Sequence, residues 1–246
     1  MNFNKNWIYV VGPCAAESKK QIFISAKKLK KHGVHIFRAG IWKPRTNSNA
    51  WQGIGDRAVE WLVEVKKKVG IKIATEVKDK RTLNLALKAN FDLVWVGSRN
   101  GQNYAFLHEV GLMTKKTKTP VIVKRAMATS LNEWIGAAGY VARNNSNIIL
   151  CERGIRGYAP DTRNILDLQG AYLAKINTKY PVIVDVSHAA GRRDLILPMS
   201  KAVKACGFNG LMVEVHPQPD LAKTDGFQQI NFRKFSQLIS ALKKLK

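Results

Sequence analysis

Acidic residues are scarce in this sequence: 17 Asp and Glu stand against 41 Lys and Arg, which leaves a formal net charge of +24. A chain this basic can attract nucleic acid or small anionic substrates. The lysines, however, are spread over predicted helix faces, and no nucleic-acid-binding motif accompanies them. The composition therefore predicts no nucleic-acid partner and favours a small anionic substrate.

Cysteines and long apolar runs are also few. The three cysteines, Cys14, Cys151 and Cys206, lie far apart and are odd in number, which indicates a reducing compartment without a disulfide framework. No apolar stretch has the length of a bilayer span, and no segment resembles a signal peptide. We therefore expect a cytoplasmic protein with no membrane partner.

Short runs rich in Val and Ile alternate eight times with longer amphipathic stretches. Strands are predicted at 7–14, 35–40, 71–77, 93–98, 120–125, 147–153, 181–188 and 210–216, and helices at 18–32, 56–69, 79–89, 104–113, 131–143, 166–177, 192–206 and 232–245. This pattern predicts an α/β fold, a single (β/α)₈ TIM barrel over residues 1–246 without an added regulatory domain. A doubly wound sheet is the alternative, but it usually has a glycine-rich dinucleotide loop after its first strand, and Gly12-Pro13-Cys14 is not one.

Six cations end the predicted strands or follow them in loops. In a barrel the active site lies at the carboxyl ends of the strands. Six positive charges at one rim repel one another unless anions lie between them, and arginine matches phosphate and carboxylate in shape. We therefore expect phosphorylated or carboxylated ligands, more than one of them, to bind Arg38, Lys43, Arg45, Arg99, Lys124 and Arg153.

A second group at the same strand ends has the residue types that bind divalent transition metals: Cys14, His188, Glu214 and Asp225. Each also has an ordinary interpretation, as a core thiol, a capping histidine, an ion-pair partner or a turn residue. They follow predicted strands one, seven and eight, which become neighbours when a barrel closes. On the residues alone, the metal site and the ordinary roles both stay open.

Several segments carry a family resemblance. They are GPC at 12–14, KPRT at 43–46, CERGIR at 151–156, DVSH at 185–188, GRRD at 191–194, VEVHP at 213–217 and DG at 225–226. In this order they resemble the 3-deoxy-D-arabino-heptulosonate 7-phosphate (DAHP) synthases of the short type I form, which are related to the 3-deoxy-D-manno-octulosonate 8-phosphate synthases. The resemblance covers the chain from Trp7 onward.

The resemblance implies a transferase that condenses phosphoenolpyruvate with erythrose 4-phosphate and water and releases phosphate, the first step of the shikimate pathway to chorismate and the aromatic amino acids. It implies one divalent metal ion of the Mn, Fe, Zn or Co type on Cys14, His188, Glu214 and Asp225. It assigns substrate binding to Arg38, Lys43, Arg45, Thr46, Arg99, Lys124 and Arg153. Catalytic roles are expected for Lys43, which would protonate or stabilise the developing alkoxide, for Glu152 and for His188. Either Glu152 or a metal-bound hydroxide would help to activate the attacking water.

The loop after the second predicted strand bears on the sugar substrate. The octulosonate enzymes, which use arabinose 5-phosphate, typically carry an Ala-Asn pair where this chain has Pro44 directly before Arg45. This difference favours erythrose 4-phosphate. One departure from the family is Asn47-Ser48 in place of the usual Ser-Pro, although the Asn47 amide can still donate to a phosphate.

The resemblance also suggests partners and control. We expect a homo-oligomer, a dimer or a tetramer, that is insensitive to aromatic amino acids and prephenate unless a separate chorismate mutase supplies feedback. A basic binding protein on a barrel scaffold and an inactive or regulatory barrel are the competing function classes. The rim motifs argue against the first class, and the presence of all four ligand types argues against the second.

Overall fold

The computed structural model describes residues 3, 6–158 and 160–245. Eight parallel strands form a closed barrel in which each strand pairs with the next and the last pairs with the first. The strands are β1 Ile8–Gly12, β2 Ile36–Arg38, β3 Lys72–Val77, β4 Leu93–Val96, β5 Val121–Lys124, β6 Ile148–Glu152, β7 Val182–Asp185 and β8 Gly210–Glu214. The predicted (β/α)₈ barrel is confirmed.

Helices follow every strand and cover the outside of the barrel. They are α1 Lys19–Lys31, α2 Arg57–Val69, α3 Lys80–Lys88, α4 Tyr104–Thr114, α5 Leu131–Ala142, α6 Leu168–Asn177, α7 Val186–Ala190, α8 Ile196–Ala205 and α9 Phe232–Lys243, with short 3₁₀ turns at Ser98–Asn100 and Pro219–Leu221. The predicted ends of α1 are confirmed, since the Ser18 side chain caps its first turn and Gly33 follows it in a left-handed conformation. Among the described helices, none has both the length and the apolar character needed to cross a membrane.

Two apolar layers hold the fold together. Side chains that point into the barrel, such as Trp95, Ile122 and Met212, form the inner layer. The opposite faces of the strands pack against the helices, and Val and Ile predominate because both strand faces are buried. This burial on both sides explains why the strands can be recognised as apolar runs without polar alternation.

Closure between β1 and β8 decides the position of the site. Gly12 is in register with Glu214 across this pair, so the residues that follow β1 lie beside the end of β8. A side chain at Gly12 would put its Cβ 2.1 Å from the carbonyl oxygen of Arg38, which only glycine avoids. The close approach lets β1 and β2 deliver Cys14 and Arg38 to the same rim.

The prediction that strand seven continues to His188 is wrong. The strand ends at Asp185, and His188 lies in the short helix α7. The carboxylate of Asp185 accepts a hydrogen bond from the backbone N–H of His188 at 3.1 Å, which starts the helix, and Gly191 ends it in a left-handed conformation. The imidazole is therefore positioned by a helical turn directly after the strand.

Candidate active site

All six predicted rim cations lie around one cleft at the carboxyl end of the barrel. Its lining includes Arg38, Lys43, Arg45, Arg99, Lys124 and Arg153, together with Glu76, Trp95, Arg163, His188 and Asp225. These residues belong to β2 to β8 or to the loops after them, and parallel strands bring such positions to one rim. The predicted convergence of cations from distant parts of the sequence is therefore present in the structure.

Four potential metal ligands meet beside the cleft, and two of them, His188 and Asp225, line it. One donor atom from each of Cys14, His188, Glu214 and Asp225 lies within 4.8 Å of the others. Sγ of Cys14 is 3.2 Å from Oδ2 of Asp225, and Nε2 of His188 is 3.6 Å from Oε1 of Glu214. One sulfur, one imidazole and two carboxylates form a donor set that suits a divalent transition metal.

The imidazole of His188 is orientated by Asp185. Nδ1 of His188 lies 2.8 Å from Oδ2 of Asp185. A carboxylate only accepts hydrogen bonds, so Nδ1 carries the proton and the lone pair is left on Nε2, which faces the other donors. Burial lowers the pKa of His188 against the opposing effect of Asp185, which keeps the ring neutral and able to ligate at pH 7.

The thiol of Cys14 is fully buried beside a lysine. Nζ of Lys43 is 3.0 Å from Sγ. Burial, and after it the charge of Glu214, raise the pKa of Cys14 well above its usual value, although Lys43 opposes this. The thiol consequently needs further positive charge nearby to ionise, and a divalent ion between these donors would supply that charge.

The loop after β8 is fixed by two glutamines that the sequence reasoning missed. The side-chain oxygen of Gln229 accepts a hydrogen bond from the backbone N–H of Cys14 at 2.9 Å. The side chain of Gln228 donates to Oε2 of Glu214 at 2.6 Å. Asp225, which begins this turn, has a φ of 52° in the left-handed region and accepts backbone bonds from both glutamines. These bonds fix the position of Asp225, which lies in a loop, relative to Cys14 and Glu214 at the ends of β1 and β8.

Two of the six predicted cations already pair with buried carboxylates. Arg38 Nη1 lies 3.1 Å from Oε1 of Glu214, and Lys124 Nζ lies 2.5 Å from Oδ2 of Asp185. Both cations also lie over the ring of Trp95. Nε of Arg38 is buried with no hydrogen-bond partner among the described residues. A ligand oxygen in the cleft would satisfy it, since buried donors are normally paired.

The other four cations have only neutral partners or a thiol among the residues that the structure describes. Lys43 donates to Cys14, and Arg153 donates to the carbonyl oxygen of Gly154 at 3.3 Å. Arg45 donates to the Thr224 hydroxyl at 2.8 Å, and Arg99 donates to the Thr46 hydroxyl at 3.2 Å. Because no described carboxylate neutralises them, these four cations are available to anionic ligands.

Two of the predicted substrate-binding and catalytic residues, Thr46 and Glu152, do not line the cleft. Thr46 does not line the cleft and reaches it only through its bond to Arg99. Glu152 is fully buried behind the cleft wall, where Gly154 N–H donates to one of its carboxylate oxygens and Arg125 donates to the other. Its predicted role in activating water stays a prediction, and the structure gives its carboxylate no opening to the cleft among the described lining residues.

Two charged cleft residues were not among the predicted site residues. Glu76 is the last residue but one of β3, and its carboxylate lies so close to Gly97 that a Cβ on this glycine would come within 1.9 Å of it. Arg163 comes from the long loop between β6 and α6 and lies 3.3 Å from Asp225. Glu76 could have been selected because it lies near the end of a strand, whereas Arg163 has no comparable signal in the sequence.

The comparisons with known proteins agree with this geometry. The sequence profile of the DAHP synthetase I family matches residues 3–246. The chain is 37% identical over 243 residues to phospho-2-dehydro-3-deoxyheptonate aldolase of Thermotoga maritima, which covers 98% of the chain and 70% of that protein. The chain belongs to the DAHP synthetase I family. The family resemblance inferred from the sequence motifs is confirmed.

Solved structures and more distant relatives place the chain within the family. The crystal structure of the Thermotoga maritima DAHP synthase matches with a TM-score of 0.93 over 98% of this chain and 70% of that one. A truncated form of the same enzyme matches with a TM-score of 0.89, 36% identity, and coverage of 98% and 87%. The 2-dehydro-3-deoxyphosphooctonate aldolase of Francisella tularensis is 27% identical over 263 residues, which is 98% of this chain and 92% of that protein. The heptulosonate relatives are thus clearly nearer than this octulosonate relative.

Proposed function

We propose that this chain joins C3 of phosphoenolpyruvate to the aldehyde carbon of erythrose 4-phosphate, with uptake of water and release of inorganic phosphate, to form 3-deoxy-D-arabino-heptulosonate 7-phosphate. One observation carries the proposal: among the described residues, four cations without carboxylate partners line a cleft together with His188 and Asp225, which belong to a cluster of four metal donors. Membership of the DAHP synthetase I family agrees with it.

Cys14, His188, Glu214 and Asp225 would hold one divalent metal ion of the Mn, Fe, Zn or Co type. The donor set supports this, as does the hydrogen bond that turns Nε2 of His188 towards the other three ligands. When bound, such an ion polarises the carbonyl of the aldehyde substrate. The protein contributes the remaining work through its own side chains.

The free cations position the two anionic substrates. Arg99 and Arg153 line the cleft beside the paired Arg38 and Lys124, and together they would hold the phosphate and carboxylate of phosphoenolpyruvate. Arg45, with Thr46 next to it in sequence, would hold the phosphate of erythrose 4-phosphate. With each substrate held by its own group of cations, C3 of phosphoenolpyruvate would lie against the aldehyde carbon of erythrose 4-phosphate.

Lys43 is placed to supply a proton. Its buried ammonium lies 3.0 Å from the Cys14 sulfur, at the border between the metal donors and the other cations. When the π electrons of phosphoenolpyruvate form the new carbon–carbon bond, the aldehyde oxygen becomes an alkoxide that Nζ of Lys43 can protonate. The C2 carbon is left with positive character and takes the oxygen of a water molecule.

Glu76 is the carboxylate that we assign to this water. It lines the cleft and is not one of the four metal donors, whereas Glu152 is turned into the protein. The carboxylate accepts a proton as water adds to C2. In the resulting hemiketal phosphate the bond between C2 and the phosphate oxygen breaks, and inorganic phosphate leaves with the bonding electrons. The C2 hydroxyl gives its proton to the departing phosphate and becomes the carbonyl of the product.

Arabinose 5-phosphate is the second candidate aldehyde because octulosonate relatives match almost the whole chain. The loop residues Pro44 and Arg45, which line the cleft, favour erythrose 4-phosphate. The higher identity to the heptulosonate relative, 37% against 27%, supports the same choice. We also propose a cytoplasmic homo-oligomer, a dimer or tetramer, in which a separate chorismate mutase would supply any feedback.

A product assay tests the proposal. The metal-loaded protein is offered phosphoenolpyruvate with equal amounts of erythrose 4-phosphate and arabinose 5-phosphate, and the 3-deoxy acids and phosphate are quantified. We expect the seven-carbon product with one phosphate released for each molecule formed. Predominance of the eight-carbon product would assign the chain to the octulosonate reaction, and absence of both products would refute the proposal.

A further inference from the structure

A triad of Arg125, Glu152 and Asp167, of which the first two are buried and the third is partly exposed, lies behind the cleft wall. No step of the proposed reaction uses it. Nη1 of Arg125 lies 3.1 Å from Oε2 of Glu152 and 2.6 Å from Oδ2 of Asp167. Nη2 of the same guanidinium donates to the carbonyl oxygen of Thr129 at 3.1 Å. One guanidinium thus bonds two carboxylates, and two of its nitrogens are occupied.

The two carboxylates belong to opposite ends of one loop. Glu152 is the last residue of β6, and Asp167 caps α6 by accepting a hydrogen bond from the backbone N–H of Gly170 at 2.7 Å. The described residues 153–158 and 160–167 lead from β6 to α6, and this loop, 153–167, carries Arg153 and Arg163 to the cleft. The triad therefore joins the start and the end of this loop.

Two successive hydrogen bonds connect Glu152, through Gly154, to Arg153 in the cleft. Oε1 of Glu152 accepts a hydrogen bond from the backbone N–H of Gly154 at 2.5 Å. The carbonyl oxygen of Gly154 in turn accepts from Nη1 of Arg153 at 3.3 Å. Gly154 has a φ of 87°, and a Cβ there would lie 2.9 Å from the Cα of Ala189, next to His188. The conformation of one glycine thus sets the position of Arg153.

We infer that Glu152 is a positioning residue, which with Arg125 and Asp167 fixes the loop 153–167 so that Arg153 meets the anionic group of the first substrate. Both oxygens of Glu152 accept hydrogen bonds, and neither faces the cleft. A carboxylate held in this way accepts from the loop and from Arg125, not from a substrate water. The inference rests on the proposed function, because it takes phosphoenolpyruvate as the anion that Arg153 binds.

The test uses the variants Glu152→Gln and Asp167→Asn, singly and combined. An amide presents one acceptor and one donor, so the side chain introduced by Glu152→Gln cannot accept from both Gly154 and Arg125. The loss of one charge-assisted hydrogen bond corresponds to about a tenfold or larger change in an equilibrium. We therefore expect each single variant to raise the KM for phosphoenolpyruvate about tenfold, with kcat changed by less than about threefold.

Two further readouts separate positioning from general-base catalysis. First, the pH profile of kcat is expected to keep its wild-type shape in Glu152→Gln. Second, the rise in the KM for phosphoenolpyruvate in the double variant is expected to be smaller than the product of the two single rises, because both residues act through Arg125. Glu133→Gln is the matched control, since this exposed carboxylate caps α5 by bonding Ser130 and lies outside the cleft. Its KM is expected to equal that of the wild type.

Opposite results would overturn the inference. In one such result, Glu152→Gln lowers kcat about a hundredfold, leaves the KM unchanged and removes one limb of the pH profile, while Asp167→Asn behaves like the wild type. This result would make Glu152 the general base. Should Glu152→Gln fail to fold, Asp167→Asn still decides, because its side chain is 22% exposed. An unchanged KM in that variant would remove the triad from substrate binding.

Titration calorimetry with phosphoenolpyruvate alone separates this inference from the proposed reaction. It measures binding and needs no turnover. If the wild type forms no product but binds phosphoenolpyruvate about tenfold more tightly than Glu152→Gln, the proposed reaction fails and the positioning role stands. If the wild type is active and both proteins bind equally, the positioning role fails and the reaction stands.

Discussion

Replacing Asp185 by Asn is expected to weaken the fold and the metal site together. The carboxylate of Asp185 is fully buried and lies 2.5 Å from Nζ of Lys124 and 2.8 Å from Nδ1 of His188. Asparagine has nearly the same shape and is also a good helix-capping residue, so the bond to the His188 backbone can be kept. The substitution therefore removes the negative charge, and it also replaces Oδ2, which accepts from both Lys124 and His188, by an amide group that cannot accept from them.

The expected loss follows from the burial of the pair. The side chain of Lys124 is 5% exposed, and that of Asp185 is 0% exposed. Removing one partner of a buried ion pair costs about 3–5 kcal/mol because the other charge is left without compensation. For a chain of this length, each kcal/mol shifts the melting temperature by roughly 2–4 °C, so we expect a fall of about 6–20 °C. Loss of the partner that orientates His188 is expected to weaken metal binding by about 10–100-fold.

Calorimetric melting and metal titration measure the two effects. Asp194→Asn is the matched control, because the pair between Arg192 and Asp194 is at the surface, with side chains 50% and 60% exposed. Its melting temperature is expected to stay within about 1 °C of the wild type, as exposed pairs contribute little. A shift for Asp185→Asn no larger than that of the control would refute the argument that the buried charge pair supports the site.

Three further predictions concern acid stability, the metal and the substrate cations. Burial opposes the ionisation of Asp185, but the charges of His188 and Lys124 together hold the pKa of its carboxyl in the folded protein well below the usual value. The contribution of this carboxylate to the free energy of unfolding is therefore complete above the pKa of the unfolded chain, and it is lost as the pH falls towards the pKa of the folded protein. The unfolding free energy measured in urea should therefore decline below about pH 4, and a slope in Asp185→Asn as steep as in the wild type would contradict this. Chelation should abolish phosphate release in the wild type, and Mn²⁺ should restore it there but not in Cys14→Ala; full activity of the metal-free protein would exclude the metal role. Arg153→Ala should raise the KM for phosphoenolpyruvate by about tenfold or more, and an unchanged KM would remove Arg153 from that substrate.

The barrel could be predicted because its strands are buried on both faces. Runs such as VIVK in β5 and IILCE in β6 have no polar alternation, and eight such runs separated by amphipathic stretches fit few folds. The end of β7 could not be predicted in the same way. Val186 continues an apolar run, and the helical turn depends on the capping bond of Asp185.

The site was partly predictable, because strand ends in a barrel share one rim. This rule gave the metal donors and the six cations their common location. The rule could not say which cations are neutralised by a carboxylate. Arg38 and Arg153 both follow or end a strand in the sequence, but of these two only Arg38 pairs with a carboxylate, that of Glu214, which is 176 positions away. It also gave no reason to select Arg163, which stands in a long loop. Pairing depends on the closed barrel, and no local pattern records it.

The pairing inside the cleft explains how a chain with a net charge of +24 can build a specific site. Arg38, Lys124 and Arg163 each have a carboxylate within hydrogen-bonding distance, so their charges are balanced before any substrate arrives. Lys43, Arg45, Arg99 and Arg153 are the cleft cations that have no such partner within the described part of the chain. Four uncompensated charges match two phosphate groups, each of which carries about −1.5 to −2 at neutral pH. Binding of the two substrates therefore follows from which cations the fold leaves unpaired, and the large surplus of surface lysines is not needed for it.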